Sequence, residues 1–240
     1  MKRLVLVGDS DIAFWPKDLL PSPGNAAGTG ETGFAGNEWD QPLVSGHSGA
    51  TLDGVLPHLR KVLHDYRSSD GGVHKGRGKT KPTRTSQLET NTLFVVACAG
   101  ENDIGEGLSL EKSTRSLSEF VDVIVEECDC KVVLIFLGPK FEPWLEDDPS
   151  YKKKYAAMGR TFGRCLNEHQ SSNKMSIYFI DCLTMFCGET ANLPGARLGG
   201  RARADLRYFV SDGLHLSREG YTVWNEVVEN TIQRYLTSSK

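Results

Sequence analysis

The sequence lacks long apolar runs and an excess of charge of either sign. No apolar stretch approaches the roughly 20 residues that a membrane-spanning helix needs, so we expect no membrane span. The net charge is only -3 over 240 residues. A nearly balanced charge gives no electrostatic reason to expect nucleic acid or a membrane surface as a partner. The composition is that of an ordinary globular protein.

The sequence also lacks the cysteine spacing of zinc sites and redox motifs. Among its six cysteines there is no C-x-x-C pair, and Cys128 and Cys130 are separated by one residue. The other four lie in or beside apolar segments, which favours buried free thiols in a reducing compartment over disulfides. The N-terminal apolar run, residues 4–7, meets an acid almost at once and is too short for a signal peptide. The expected location is therefore cytoplasmic.

Short apolar runs alternate with stretches of helical periodicity. The runs typical of buried strands cover residues 3–7, 92–99, 131–138 and 176–182, with a weaker candidate at 41–46. The predicted helices cover residues 52–67, 113–128, 151–170 and 217–236. Ser113 is the predicted N-cap of the second of these helices. This alternation predicts parallel strands and an α/β fold, a three-layer α/β/α sandwich of about five strands.

Two segments rich in polar residues and glycine interrupt this alternation. They lie at about 20–37 and 68–90, and the alternation resumes after each. We therefore expect one domain over residues 1–240 with two loop insertions. The second insertion has a basic cluster at 74–84, which a solvated loop explains better than a nucleic-acid arm.

Ser10 lies in the sequence Gly-Asp-Ser, where the first predicted strand ends and a helix-like stretch follows. Ligands of parallel α/β sheets bind outside the carboxyl ends of the strands. Free N–H groups at the start of a helix also suit a developing anion. Serine is equally a preferred helix N-cap, so this tripeptide alone leaves both roles open.

Three further segments favour a catalytic role. Gly46 and Gly49 occupy the turn after the second strand, and Asn102 follows the third. Asp212 and His215 are three residues apart before the last helix. A nucleophilic serine needs a base and the base needs an orienting acid, while an oxyanion needs N–H donors such as a glycine backbone or an asparagine amide.

Taken together, the segments "GDS", "SGHSGAT", "GEND" and "DGLH" resemble the four sequence blocks of SGNH hydrolases, the GDSL-type esterases and lipases. The resemblance spans residues 4 to about 225. It implies a flavodoxin-like sheet, Ser10 as nucleophile, His215 as general base and Asp212 as its partner. It also implies an oxyanion hole formed by the N–H groups of Ser10 and Gly49 and by the Asn102 side chain. The "G-x-x-G-x-T" register favours Gly49 over Gly46.

What the resemblance implies for function is hydrolysis of a carboxylic ester through an acyl-enzyme, with a small-molecule ester as partner and neither metal nor cofactor. Asp11 replaces the leucine that usually follows the serine, and we expect it to alter the mouth of the pocket. An acyltransferase on the same site and a non-catalytic binding protein remain alternatives.

Other nucleophiles fit the sequence less well. "GHSGA" resembles a nucleophile elbow at Ser48 but lacks the second glycine in its required place. Cys98 lies within an apolar strand, where an inert thiol is expected.

An arginine-rich segment at 197–207 precedes Asp212 in the chain. Its arginines are Arg197, Arg201, Arg203 and Arg207. Guanidinium groups bind carboxylate and phosphate, so the segment is a candidate selector of anionic substrates. A solvated loop without such a role is the interpretation we favour.

Overall fold

Parallel strands form the central sheet of the computed structural model, which describes residues 2–21, 39–70, 92–170, 175–193, 195–196 and 201–238. Within these residues the sheet has five strands, in the order β2-β1-β3-β4-β5. Their bounds are β1 Arg3–Gly8, β2 Leu43–Gly46, β3 Thr92–Cys98, β4 Lys131–Leu137 and β5 Met175–Ile180. This is the flavodoxin-like order, so the sheet predicted from the sequence is confirmed.

Helices cover both faces of this sheet. They are α1 Ser10–Ala13, α2 Leu52–Asp70, α3 Glu101–Gly105, α4 Leu110–Glu127, α5 Pro149–His169 and α6 Arg218–Ser238. Helices α2, α4 and α5 contribute to the hydrophobic core on one face, and α1 and α6 to the core on the other. The prediction of three layers is confirmed.

The strands are apolar throughout because each face of the sheet meets helices. In β1, Val5 and Val7 belong to the core under α2, whereas Leu4 and Leu6 belong to the core under α6. Successive side chains of a strand point to opposite faces, so a strand covered on both sides needs a continuous apolar run. The same arrangement directs the carboxyl ends of all five strands to one edge of the sheet.

The start of α4 differs from the prediction. The N-cap is Ser109, whose hydroxyl accepts the Lys112 N–H at 3.2 Å. Ser113, the predicted cap, lies inside the helix, is fully buried and donates its hydroxyl to the Ser109 carbonyl. Both serines suit the cap position locally, and the sequence favours Ser113 because Leu110–Lys112 adds a first turn without a clear apolar pattern.

The insertions predicted at 20–37 and 68–90 fall mostly outside the described residues. Helix α2 continues to Asp70, so residues 68–70 are helical rather than part of a loop. The basic cluster at 74–84 lies outside the described residues. All six cysteines are described as free thiols, four of them buried. No helix among the described residues is long and apolar enough to cross a membrane.

Candidate active site

The site begins with three strand ends that lie level with one another. Gly8 at the end of β1 is paired with Gly46 of β2 on one side and with Cys98 of β3 on the other. The chain leaves β1 toward β2 and later returns on the opposite side of β1 as β3, so this edge is the topological switch point of the sheet. The segments that follow these three strands carry Ser10, Gly49 and Asn102.

Ser10 is the first residue of the short helix α1, and it is half-buried. The N-cap of α1 is Asp9, whose carboxylate accepts the Asp11 N–H at 3.1 Å. Because Asp9 fills the capping role, the Ser10 hydroxyl is not used as a helix cap. Of the two roles that the sequence left open for this serine, capping is therefore excluded.

Asp212 and His215 form a hydrogen-bonded pair. The His215 Nδ1 lies 2.7 Å from Asp212 Oδ2, and the other carboxylate oxygen accepts the backbone N–H groups of Leu214 at 2.8 Å and His215 at 3.0 Å. The bond to the imidazole, with the two backbone bonds, lowers the pKa of Asp212 to about 2. The carboxylate therefore stays charged and fixes both the loop and the ring of His215.

The imidazole of His215 rests against the helix that begins with Ser10. Phe14, at the C-terminal end of α1, contacts it edge-to-face with 4.8 Å between ring centroids. Burial raises the pKa of the carboxyl of Asp11, the residue after Ser10, and His215 lies near enough to act on this carboxyl electrostatically. No hydrogen bond joins the Ser10 hydroxyl to His215 among the described residues. In enzymes without substrate such bonds are often long and tighten in the complex.

Gly46 and Gly49 have different reasons to be glycine. A Cβ on Gly46 would lie 2.0 Å from the backbone nitrogen of Ala13, so Gly46 lets α1 pack directly on β2. Gly49 has a φ of +74° and no atom within 4 Å of its Cβ position. A left-handed glycine on an open turn can present its N–H outward, which agrees with the choice of Gly49 over Gly46 as an oxyanion donor.

Asn102 is held against the turn that contains Gly49. One N–H of its side-chain amide donates to the Ala50 carbonyl at 3.1 Å, which leaves the second N–H for another acceptor. The neighbouring Asp103 carboxylate accepts the Leu52 N–H at 2.9 Å, at the start of α2. These two bonds tie α3 to the segment after β2 and keep the two proposed oxyanion donors in a fixed relation.

A buried charged cluster lies beneath these residues. It centres on Lys140, which is 1% exposed and follows β4. Its ammonium contacts Asp11 at 2.6 Å, Glu101 at 2.6 Å and Glu142 at 3.1 Å. Asp11, expected at the pocket mouth, is 2% exposed and lies in this cluster, so that expectation is wrong. The cluster was missed because lysine and glutamate are rarely buried, although "GPKFE" directly after a buried strand is a usable signal.

Burial dominates the protonation of this cluster. Desolvation raises the pKa of Asp9 to about 8 and also raises the pKa values of Asp11 and Glu101, against the lowering effect of the Lys140 ammonium. The three facing carboxyl groups raise the pKa of Lys140 well above its ordinary value despite its desolvation. Lys140 is therefore a permanent buried cation that three acidic side chains face.

Asp9, Asp11 and Cys98 could bring three ligand atoms within 4.8 Å of one another. The chemistry of this group does not suit a metal ion. The Lys140 ammonium already occupies one carboxylate oxygen of Asp11. Burial raises the pKa of the Cys98 thiol well above its ordinary value, and a protonated thiol is a poor ligand. The same shift argues against Cys98 as a nucleophile. Ser48, the other alternative, is exposed on the turn after β2.

The arginine-rich segment is largely neutralised by its own contacts. Arg203 contacts Glu146 at 3.1 Å, and Arg207 contacts Asp205 at 2.8 Å. Arg201 is exposed, and Arg197 lies outside the described residues. Since two of these guanidinium groups already have acidic partners, the described part of the segment supports charge recognition only weakly.

No family model and no curated protein sequence matches this chain. Solved structures do match. A GDSL-like lipase from Bacteroides thetaiotaomicron is 16% identical with a TM-score of 0.58, over 97% of this chain and 88% of that one. A carbohydrate esterase family 3 protein from Talaromyces cellulolyticus is 14% identical with a TM-score of 0.58, over 99% of both chains.

A third match is an acetyl esterase in which a serine is mutated to alanine, solved with an acetate ion. It is 15% identical with a TM-score of 0.59 and covers 100% of both chains. Sequence identities this low establish only that the folds are alike. The chain has the fold of the SGNH and GDSL hydrolases, as the motifs in its sequence predict.

Proposed function

We propose that the protein is a serine hydrolase that cleaves carboxylic esters through an acyl-enzyme formed on Ser10. The observation that carries the proposal is the Asp212–His215 pair, whose imidazole rests against the helix that begins with Ser10. A hydroxyl, an imidazole and a charged carboxylate in this order are what nucleophilic catalysis by serine requires.

In the acylation step, His215 Nε2 takes the proton of the Ser10 hydroxyl while the oxygen attacks the ester carbonyl. Asp212 receives the Nδ1–H of the same ring at 2.7 Å, which fixes the tautomer that leaves Nε2 free to accept the proton. His215 then returns the proton to the leaving alcohol as the carbon–oxygen bond breaks. Ser10 remains acylated.

In the deacylation step, the roles repeat with water in place of the serine. His215 takes a proton from a water molecule that attacks the acyl carbonyl, and it returns a proton to Ser10 as the acid product leaves. Because Asp212 remains charged throughout, it stabilises the imidazolium that forms in both steps.

The negative charge that develops on the carbonyl oxygen needs donors in both steps. The Ser10 and Gly49 N–H groups and the second N–H of the Asn102 amide are the proposed donors. Their support is the positive φ of Gly49, which suits an outward N–H, and the hydrogen bond from Asn102 to Ala50, which joins the two segments before substrate binds. Donors fixed in advance need no reorganisation during the reaction.

The side chains around His215 favour an uncharged ester. Phe14 is 54% exposed, and Leu214 and Val210 are each 43% exposed on the loop that carries His215. An exposed apolar rim suits contact with an acyl or alkyl group. The names of the structural neighbours, which include a lipase and two esterases, support the same substrate class.

Steady-state hydrolysis of p-nitrophenyl esters tests this function. Ser10→Ala should abolish turnover while leaving the thermal unfolding midpoint close to that of the wild type. Ser48→Ala is the matched control, since it removes an exposed hydroxyl from the adjacent turn, and it should keep wild-type kcat. Turnover retained in Ser10→Ala and lost in Ser48→Ala would reject the proposal.

A further inference from the structure

The buried cation Lys140 joins the two short helices that carry proposed catalytic residues. Its ammonium contacts Asp11, which follows Ser10 in α1, and Glu101, which precedes Asn102 in α3. Its backbone N–H also donates to the second carboxylate oxygen of Glu101, at 2.6 Å. One residue at the carboxyl end of β4 therefore fixes both helices from below.

These helices need such a support. Helix α1 has four residues and α3 has five, and helices of this length are not stable by their own hydrogen bonds. The cluster is fixed on its other side as well. Glu142 contacts the Lys140 ammonium and accepts hydrogen bonds from the Trp144 indole at 2.6 Å and the Tyr155 hydroxyl at 3.1 Å.

The charge of Lys140 compensates the buried acids around it. Three carboxyl groups and one ammonium share a buried volume, and two of these carboxyl groups belong to α1 and α3, the short helices that carry Ser10 and Asn102. Each ammonium proton has a carboxylate acceptor, so the cation is fully satisfied. Without this cation the acids must either hold further protons or leave buried negative charge unpaired, and both options loosen the contacts to α1 and α3.

We propose that Lys140 is a positioning residue for catalysis, which holds the Ser10 helix and the Asn102 helix in register through Asp11 and Glu101. This inference rests on the proposed ester hydrolysis. Lys140 is fully covered and does not itself reach the substrate. Its effect is therefore expected in kcat, through the alignment of nucleophile and oxyanion donors, and much less in KM.

A double-mutant cycle separates positioning from general support of the fold. Asn102→Ala should lower kcat about 10²–10³-fold as the loss of one oxyanion donor. Lys140→Met should lower kcat about 10²-fold, the size expected for a displaced donor, with a much smaller change in KM. If Lys140 acts in part through Asn102, the fold-loss of kcat in the double variant should be smaller than the product of the two single losses. If the two substitutions act independently, their fold-losses of kcat should multiply.

The control variant is Glu229→Gln, which weakens a buried polar contact to Asn225 in α6, outside the cluster. It should lower the unfolding temperature without lowering kcat. The inference would be overturned if the fold-loss of kcat in the double variant equalled the product of the two single losses. An unchanged kcat in Lys140→Met would also overturn it. If Lys140→Met does not fold, Glu101→Gln replaces it, and a kcat equal to that of the wild type would likewise overturn it. Ester turnover retained in Ser10→Ala would instead reject the proposed function, whatever the double-mutant cycle shows.

Discussion

At the scale of single residues, the candidate site is defined by how each polar group is occupied. Asp9 caps α1 and so releases the Ser10 hydroxyl from that role. Asp212 uses one oxygen on backbone N–H groups and the other on the imidazole of His215. Asn102 uses one amide N–H on Ala50 and keeps the other. The groups left over are a hydroxyl, an imidazole nitrogen and an amide N–H, which is the set that acyl transfer needs.

The pH dependence of kcat/KM tests this division of roles. Only a neutral imidazole can accept the serine proton, so kcat/KM should fall as the pH is lowered into the acid range. Because the pKa of Asp212 is lowered to about 2, its carboxylate stays ionised well into that range and adds no step of its own there. Steady-state rates with an uncharged ester measure the profile. A flat profile would contradict a histidine base.

At the scale of secondary-structure elements, the position of α1 determines where Ser10 lies. This helix packs on β2 at Gly46 and presents Phe14 to His215. Asp11 fixes it from below through Lys140, and the Tyr221 hydroxyl of α6 donates to the Asp11 carbonyl at 2.9 Å. The position of this one-turn helix is thus fixed by contacts with four neighbouring segments rather than by its own hydrogen bonds.

Gly46→Ala tests this dependence on packing. The added Cβ would lie 2.0 Å from Ala13 N and must displace α1 or β2, at a cost of about 1–3 kcal/mol of unfolding free energy. A shift of α1 by about 1 Å should also lower kcat by as much as about 10²-fold. Urea unfolding and ester hydrolysis measure the two effects.

A matched glycine-to-alanine control is available in α5. A Cβ on Gly159 would have its nearest neighbour, Pro139, at 3.9 Å. Gly159→Ala should therefore preserve or raise stability, since alanine favours a helix over glycine by about 1 kcal/mol. If Gly46→Ala lowers neither the unfolding free energy nor kcat relative to Gly159→Ala, the close packing of α1 on β2 does not position Ser10.

The sequence predicts strands better than it predicts helix ends. The four clear apolar runs all become strands, because burial on both faces imposes a pattern that no other element in this fold requires. The predicted start of α4 is wrong because both Ser109 and Ser113 suit the N-cap position locally. Helix α3 was not predicted, since one turn is too short to show a period.

The residues of the candidate site likewise divide into those that local sequence predicts and those that only the fold brings together. Ser10, Asn102 and the Asp212–His215 pair could be predicted as candidates because each follows a strand or lies on a tight turn. The Lys140 cluster could not, because Lys140 and Asp11 are 129 residues apart in the chain and only the fold brings them together. The local pattern "GPKFE" shows that Lys140 and Glu142 follow a buried strand, but it does not show which distant acids they contact.

At the scale of the whole molecule, the buried acids make stability depend on pH. Asp9 has a pKa of about 8 in the folded protein against an ordinary value of 3.8. Between these two values the folded state holds a proton that the unfolded state has released. The free energy of unfolding should therefore decrease as pH rises through this interval.

Asp9→Asn removes this titration while keeping a side chain that caps α1 well. The unfolding free energy of the variant should decrease less than that of the wild type between about pH 4 and pH 8. We expect a difference of at least about 1.4 kcal/mol, the equivalent of one pKa unit. Denaturant titrations at several pH values measure both slopes. Parallel slopes would show that Asp9 does not hold a proton in the folded state.

The central claim is that Ser10 is a nucleophile, and covalent labelling tests it most directly. A fluorophosphonate forms a stable adduct only with a serine that a base activates, and mass spectrometry of the digested protein locates the adduct. The account predicts one adduct on Ser10, which disappears in His215→Ala while that variant remains folded. An adduct on Ser48, or ester turnover with Ser10 unlabelled, would contradict it.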